Sequence, residues 1–200
     1  MQQYDLLIIG GGIIGCAVAR ELSRYSLRVA VCEAKPDVAA GTTKANGGLI
    51  HTGYDPKPGT LKALLNLKGC LMYPVLSRQL GFRFHKMGSM VVGFNEEDHA
   101  YLKKLYQQGL ENGVPNLELV SGSRIFELEP QTSPEAKYAL YSPHTGIVDP
   151  FEVAIAYAEN AAANGVDFYV SSPVLSRKKD GEDFLVQTPK GQFRTKYLVN

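Results

Sequence analysis

Three features of the chain predict an α/β fold. Its first thirty-three residues alternate strand, helix and strand, a further helix opens at Asp149 with every start signal in place, and short apolar strands follow that helix. The run Asp5-Leu6-Leu7-Ile8-Ile9 is an apolar strand that meets Gly10-Gly11-Gly12-Ile13-Ile14-Gly15. A helix is expected over 13–25, with Val18, Ala19 and Leu22 on its apolar side, and the next strand closes with Val31-Cys32-Glu33. The spacing G-x-G-x-x-G falls on Gly10, Gly12 and Gly15. Gly10 makes the strand-to-helix turn, Gly12 lets backbone approach a pyrophosphate, and Gly15 lets the helix sit close to the sheet. Glycine strings are common in loops, so the motif alone is weak. Here a strand precedes it, a helix follows, and an acid stands eighteen residues beyond Gly15 at a strand end. That context favours a dinucleotide site over a bare glycine turn, with phosphates on the helix N-terminus and Glu33 accepting hydrogen bonds from an adenosine ribose. Ser26 stands where a glycine is expected to end the helix.

Size and charge narrow the function classes. With 21 basic and 20 acidic residues the net charge is +1, which gives no electrostatic basis for binding nucleic acid or an anionic membrane. Cys16, Cys32 and Cys70 form no C-x-x-C pair and read as small buried hydrophobes in a reducing compartment, so neither a disulfide nor a metal site is expected. The first strand begins too early for a signal peptide, and no apolar run approaches the roughly 20 residues of a bilayer span. A cytoplasmic protein is expected, with peripheral contact at the inner membrane surface left open.

Residues 34–59 form a long irregular stretch rich in Gly, Thr, Asn and Pro, which reads as backbone shaped around a ligand. Thr60 is expected to cap a helix reaching Gln79 with a kink at Pro74, its stripe of Leu61, Leu64, Leu65, Leu71, Met72, Val75 and Leu76 forming core. Strand pattern follows over 82–94, with a turn or bulge at Gly88-Ser89. Asn95 then caps a helix with Glu96, Glu97 and Asp98 in its first turn, ending near Gly113. A short helix is expected over 121–129 and a strand over 138–141. Asp149 as N-cap, Pro150, a capping-box Glu152 and the terminal Gly165 define the next helix. Strands are expected at 166–170, at 172–177 paired with 184–187, and at 193–199. That last strand has no closing turn, so the chain is expected to be an N-terminal part of a longer protein.

With these residues in view, the chain resembles the N-terminal half of the D-amino acid oxidase-type FAD-dependent oxidoreductases. The segment from Thr42 to Asp55, TTKANGGLIHTGYD, followed by Lys57-Pro58-Gly59-Thr60-Leu61-Lys62-Ala63, most resembles FAD-dependent glycerol-3-phosphate dehydrogenases of the anaerobic type, and L-2-hydroxyglutarate dehydrogenases carry a similar stretch. The resemblance covers all 200 residues, including Gly146-Ile147-Val148-Asp149-Pro150. It implies an FAD-binding, Rossmann-like domain of the glutathione-reductase type, with an inserted α+β substrate or cap domain and a truncated C-terminus. Residues 1–80 and 149–200 would belong to the FAD-binding domain and 81–148 to the cap. The resemblance further implies that Gly10, Gly12, Ile13, Ile14, Gly15, Glu33 and Ala34 hold the ADP half of FAD. Thr42, Thr43, Lys44, Asn46, Gly47 and Gly48 would line pyrophosphate and isoalloxazine, and Val174 would touch adenine. Family members often carry Ser at the position of Gly47.

The implied chemistry is oxidation of a secondary alcohol, a base taking the hydroxyl proton as hydride leaves for flavin N5. His51 is the histidine within the flavin-lining stretch. It is expected either to act as that base, for which histidine's reference pKa of about 6.5 is suitable, or to pack and orient the flavin. Lys44 faces the pyrophosphate or is a solvated loop lysine. Asp55, Lys57 and Lys62 border a substrate entrance or simply face water, and His85, His99 and His144 lack ligand spacing. Glycerol 3-phosphate oxidation, with electrons passed to a quinone or a protein partner, is the first reading. A 2-hydroxy acid or amine substrate shares nearly all visible features. A non-catalytic flavin-binding subunit would not need the loop around His51, and an NAD-dependent dehydrogenase would not carry so long a loop after its second strand. The stretch alone is expected to be inactive and to retain FAD weakly.

Overall fold

A computed structural model describes residues 1–200. In chain order the elements begin β1 (Gln2–Ile9), α1 (Ile13–Leu22), β2 (Val29–Cys32), β3 (Leu49–Ile50), α2 (Leu61–Leu80), β4 (Phe84–Lys86), β5 (Ser89–Gly93) and α3 (Glu96–Glu111). They continue with β6 (Glu118–Ser121), α4 (Ser123–Leu128), β7 (Tyr138–Ser142), β8 (Gly146–Val148), α5 (Pro150–Ala163), β9 (Asp167–Tyr169), β10 (Ser176–Asp180), β11 (Asp183–Thr188) and β12 (Gly191–Val199). The chain divides into two compact units. Met1–Gly48, Leu80–Arg83 and Asp149–Asn200 form one, and Leu49–Gln79 with Phe84–Val148 form the other, so the segment expected to run unbroken over 1–80 is shared between them.

The first unit is built on a six-stranded sheet of order β10-β11-β12-β1-β2-β9. From β12 to β9 the strands are parallel, and β10 and β11 add an antiparallel hairpin at the edge. All four residues of β2 are buried, as a strand covered on both faces requires. Ala30 and Cys32 join Tyr4, Leu7, Val186 and Phe193 on one face. Val29 and Val31 join Ile8 on the other, against Ala19 of α1 and Ala161 of α5. The edge strand β10 exposes Arg177, Lys178 and Lys179, charges that discourage edge-to-edge pairing.

Three local expectations are corrected here. Helix α1 ends at Leu22 rather than near 25, because Ser23 caps it and its Oγ donates to the Arg20 carbonyl at 2.8 Å; Ser26 has no capping task. Asp149 does cap α5, accepting from the Phe151 and Glu152 N–H groups, but Glu152 does not reach back to complete a capping box. Its carboxylate instead accepts from the Arg83 N–H at 3.4 Å and faces the Arg83 guanidinium at 3.7 Å. The strand expected from 172 starts only at Ser176, because the Ser171 and Ser172 N–H groups donate to the carbonyls of Lys35 and Glu33, leaving 172–175 irregular. Val174 therefore lies before the strand and packs on the apolar face formed by Tyr4 and Phe193.

The second unit holds two three-stranded antiparallel sheets, β3-β8-β4 and β5-β7-β6. Helix α3 begins at Asn95, whose side chain accepts from the Asp98 N–H at 2.9 Å, and packs Leu102 and Leu105 against Leu140 of β7. Strands β3, β6 and β8 escape sequence reading because two to four residues carry no period. Helix α2 runs through Pro74 and starts where Thr60 Oγ1 accepts from the Ala63 N–H at 3.3 Å. Of its expected core stripe only Leu76 is buried: Leu61, Leu64, Leu65, Leu71, Met72 and Val75 are exposed, and the helix buries Ala63 and Cys70 beside Leu76.

All three cysteines are free and buried. Burial pushes the Cys16 thiol up to about 12, with the Glu33 charge adding to the effect, and the Cys32 thiol up to about 11; Cys70 is also raised by burial. At pH 8 the folded protein is expected to resist thiol-specific reagents over minutes and to react at all three positions once denatured. A titration with Ellman's reagent before and after adding guanidinium checks this.

Candidate functional site

The first candidate site grows out of the turn between β1 and α1. Gly10 has φ +104°, a left-handed conformation that side chains disfavour, and its N–H donates to the Cys32 carbonyl at 2.8 Å. A Cβ at Gly15 would lie 2.0 Å from the Gly10 carbonyl oxygen, so only glycine lets α1 start this close to the turn. Gly12 is the N-cap of α1 and makes no side-chain cap. A Cβ there would come within 3.2 Å of Thr43 Oγ1. That hydroxyl accepts from the Ile13 N–H at 3.1 Å, one of the helix's first N–H groups, which have no partner within the helix.

Around this turn lies a cavity of about 460 Å³. Of the residues expected to bind a nucleotide, it is lined by Gly10, Gly12, Ile13, Ile14, Gly15, Thr42, Thr43 and Asn46. Ile8, Ile9, Val18, Val199 and Asn200 complete the wall. Strand β1 is flanked by β2 on one side and β12 on the other, and the cavity opens at the carboxyl ends of β1 and β12. A sheet of this kind binds ligands at that position.

Other expected residues lie beside the cavity or apart from it. Glu33 is half-buried; its carboxylate accepts from the Gly11 N–H at 2.6 Å and the Lys35 N–H at 2.7 Å. Ala34 is exposed next to it, and Lys44 is exposed at the end of a single 3-10 turn over Thr42–Lys44. Asn46 stitches that turn to the following chain, donating to the Thr43 carbonyl at 2.7 Å and accepting from the Gly48 N–H at 2.9 Å. A Cβ at Gly47 meets nothing within 4 Å, so a serine would fit there. Val174 does not line the cavity. Sequence reading missed Gly11, where a Cβ would press on Val38 at 3.1 Å and on Glu33 at 3.2 Å, and whose carbonyl accepts from the Ala39 N–H at 2.8 Å. Its place as the middle glycine of the run was its only signal.

His51 belongs to the second unit. It is exposed and borders a cavity of about 100 Å³ with Thr52, Gly53, Tyr54, Asp55, Pro56, Lys62 and Asn66. Thr52 is fully buried and shares a 2.8 Å hydrogen bond with the Ser142 hydroxyl. The next four residues are held by α3: Gln108 Nε2 donates to the carbonyls of Tyr54 and Asp55, and Asn112 Nδ2 donates to those of Gly53 and Pro56, all within 3.2 Å. Burial raises the Tyr54 phenol above its ordinary range. Two of the other histidines make packing or hydrogen-bond contacts: His99 stacks on Tyr138 at 3.9 Å, and His144 shares a hydrogen bond with Asn116.

Residues 5–200 match the family described as FAD dependent oxidoreductase. The chain belongs to that family. It is 47% identical over 98% of its length to the glycerol 3-phosphate dehydrogenase of Caloramator mitchellensis, covering 41% of that protein. To the mitochondrial L-2-hydroxyglutarate dehydrogenase of Homo sapiens it is 34% identical, over 98% of this chain and 45% of the human one. The dithionite-reduced L-alpha-glycerophosphate oxidase of Mycoplasma pneumoniae, solved with FAD bound, superposes with a TM-score of 0.94 at 33% identity, over 99% of this chain and 53% of that one. The chain thus spans about half the length of these relatives.

The cradle fits the family's cofactor on physical grounds. Helix α1 has no acidic residue in its first turn and no side chain at its N-cap, and of its first N–H groups Thr43 takes only that of Ile13, so its positive end is left for an anion, whereas α3 begins with three acids and a capping asparagine. Glu33 uses two of the roughly four acceptor positions of a carboxylate on backbone N–H groups, which leaves capacity for ribose hydroxyls. Gly12→Ala is expected to weaken FAD binding by on the order of tenfold, about the loss of one charge-assisted hydrogen bond. The urea midpoint should move little, because Thr43 can yield to a methyl group at 3.2 Å. Flavin fluorescence titration and urea unfolding of the same variant check both halves of this expectation.

Proposed function

We propose that this chain is the flavin-cradling portion of a dehydrogenase that oxidises glycerol 3-phosphate to dihydroxyacetone phosphate. The observation that carries this reading is the 47% identity to the Caloramator mitchellensis glycerol 3-phosphate dehydrogenase, sustained over 98% of the chain. The backbone at Gly12 and the start of α1 hold the pyrophosphate, and Glu33, with Ala34 beside it, receives the adenosine ribose. Thr42, Thr43, Lys44, Asn46, Gly47 and Gly48 border the pyrophosphate and ring, and Val174 sits under adenine. When bound, FAD accepts the hydride that leaves the carbinol carbon.

His51 takes the hydroxyl proton of the substrate as the carbonyl forms. What supports this role is the way its neighbours are fixed: the buried Thr52 on one side and four backbone carbonyls tied to α3 beyond it hold the loop in one path. A base acts only within hydrogen-bond reach of its proton, so a rigid loop is what such a residue needs. Asp55 and Lys62, on the same small cavity, face the polar substrate. Electrons then pass to a quinone or a partner protein, in a cytoplasmic setting. No helix of the structure is long and apolar enough to cross a membrane.

A second reading, oxidation of an L-2-hydroxy acid, is favoured by the 34% identity to the human L-2-hydroxyglutarate dehydrogenase over the same stretch. Anaerobic absorbance of the FAD-loaded protein separates the two. Bleaching by sn-glycerol 3-phosphate and not by L-2-hydroxyglutarate is the expected result. The opposite pattern moves the enzyme to the hydroxy acid, and no bleaching by either, with FAD bound, would sink both readings. His51→Gln is expected to slow flavin reduction roughly 10²- to 10⁴-fold, the range of a lost general base, while the FAD dissociation constant stays unchanged.

A further inference from the structure

Helix α2 is anchored on one side only. It buries Ala63, Cys70 and Leu76, while Leu61, Leu64, Leu65, Leu71, Met72 and Val75 are 45–72% exposed. These six fall at i, i+3, i+4, i+10, i+11 and i+14, which places them on one face of the helix about 21 Å long, with the exposed Lys68 between the first three and the last three. Their exposed surface is roughly 600 Å², at the upper limit for the largest apolar patch of a typical monomer, and patches of this size mark interaction sites. Leucine is also a poor choice for a solvated helix face, where charged helix formers serve as well without exposing apolar area.

We infer that this face is the seat of the remaining half of the flavoenzyme, the part of the relatives' length outside the stretch they share with this chain. Its relatives are about twice as long, the aligned stretch making up 41% of the Caloramator protein and 53% of the Mycoplasma chain. A polypeptide of comparable size therefore accompanies these residues in such enzymes, and α2 offers it an apolar face of interface dimensions. A second copy of this chain is a poorer occupant. Lys68 lies at the midpoint of the stripe and is exposed, so a symmetric pairing centred on the stripe, parallel or antiparallel, sets Lys68 against its own copy in the middle of an apolar seam. Like charges in contact there oppose the pairing, whereas a different polypeptide can answer Lys68 with an acid or leave it a path to water.

The experiment uses Leu64→Cys and Val75→Cys, since the three native thiols are buried. Maleimide labelling is timed in residues 1–200 and in a chimera where they replace the aligned part of the Caloramator enzyme. Labelling at both positions is expected to slow at least roughly tenfold in the chimera, by exclusion of solvent from the seam. Equal rates in the two proteins overturn the inference. Equal protection in the 200-residue chain, with a doubled mass by light scattering, overturns it in favour of self-association. Should the chimera not fold, co-purification decides: the Caloramator C-terminal half, made as a separate chain, is expected to bind tagged residues 1–200 and to be lost with Leu65→Asp/Met72→Asp. Failure of the unaltered pair to associate counts against the inference.

Discussion

Everything in the first unit depends on a gap the width of one methyl group. The carbonyl oxygen of Gly10 would lie 2.0 Å from a Cβ at residue 15, so the first turn of α1 stands almost on top of the end of β1. With the helix started there, Ala19 reaches the sheet and meets Ala161 of α5, small residues that let the two helices share one face. That layer in turn fixes the path of β9 beside β2 and brings the 171–172 backbone to the carbonyls of Lys35 and Glu33. The nucleotide cradle is the mouth of this arrangement, and its shape follows from packing that begins at a missing side chain.

Helix starts in this chain are treated in two ways, and the difference is chemical. Helices α3 and α5 satisfy their first N–H groups with Asn95 and Asp149 and place acids in the first turn, which compensates the positive end of the helix. Helix α1 has neither device at its N-cap. Such an end keeps backbone donors without a partner in the helix, the kind of group that an anion satisfies. The Thr43 hydroxyl and the Glu33 carboxylate each take one backbone N–H and thereby hold the surrounding loops in register with the turn.

Sequence reading recovered this first unit well, because its signals are local. Gly10 and Gly15 have conformational and steric reasons that hold in any context, Asp149-Pro150 is a clear helix start, and β2 is apolar throughout. It failed where the outcome is set by distant partners. The α2 stripe has the periodicity of a core helix, and nothing in the pattern says which of its faces this stretch of chain covers. Glu152 has capping-box spacing, yet Arg83 offers a charged partner from a remote part of the chain. At the candidate site the glycines were legible as a motif and Thr43 and Asn46 only through the family resemblance, whereas Val199 and Asn200 become cavity walls only through the pairing of β12 with β1.

The hold of α3 on the His51 loop has a consequence for how such an enzyme changes over time. Gln108 and Asn112 grip carbonyl oxygens and no side chains, so the path of residues 53–56 is indifferent to which amino acids occupy most of it. The constraint falls on the helix, one turn apart at two amides, and on Gly53 with its φ of +94°. Of residues 54–56 only Asp55 is exposed, since Tyr54 packs on the core of the second unit and Pro56 is buried. A design of this kind holds the backbone of a loop in place and leaves one solvent-facing position open to change without rebuilding the rest.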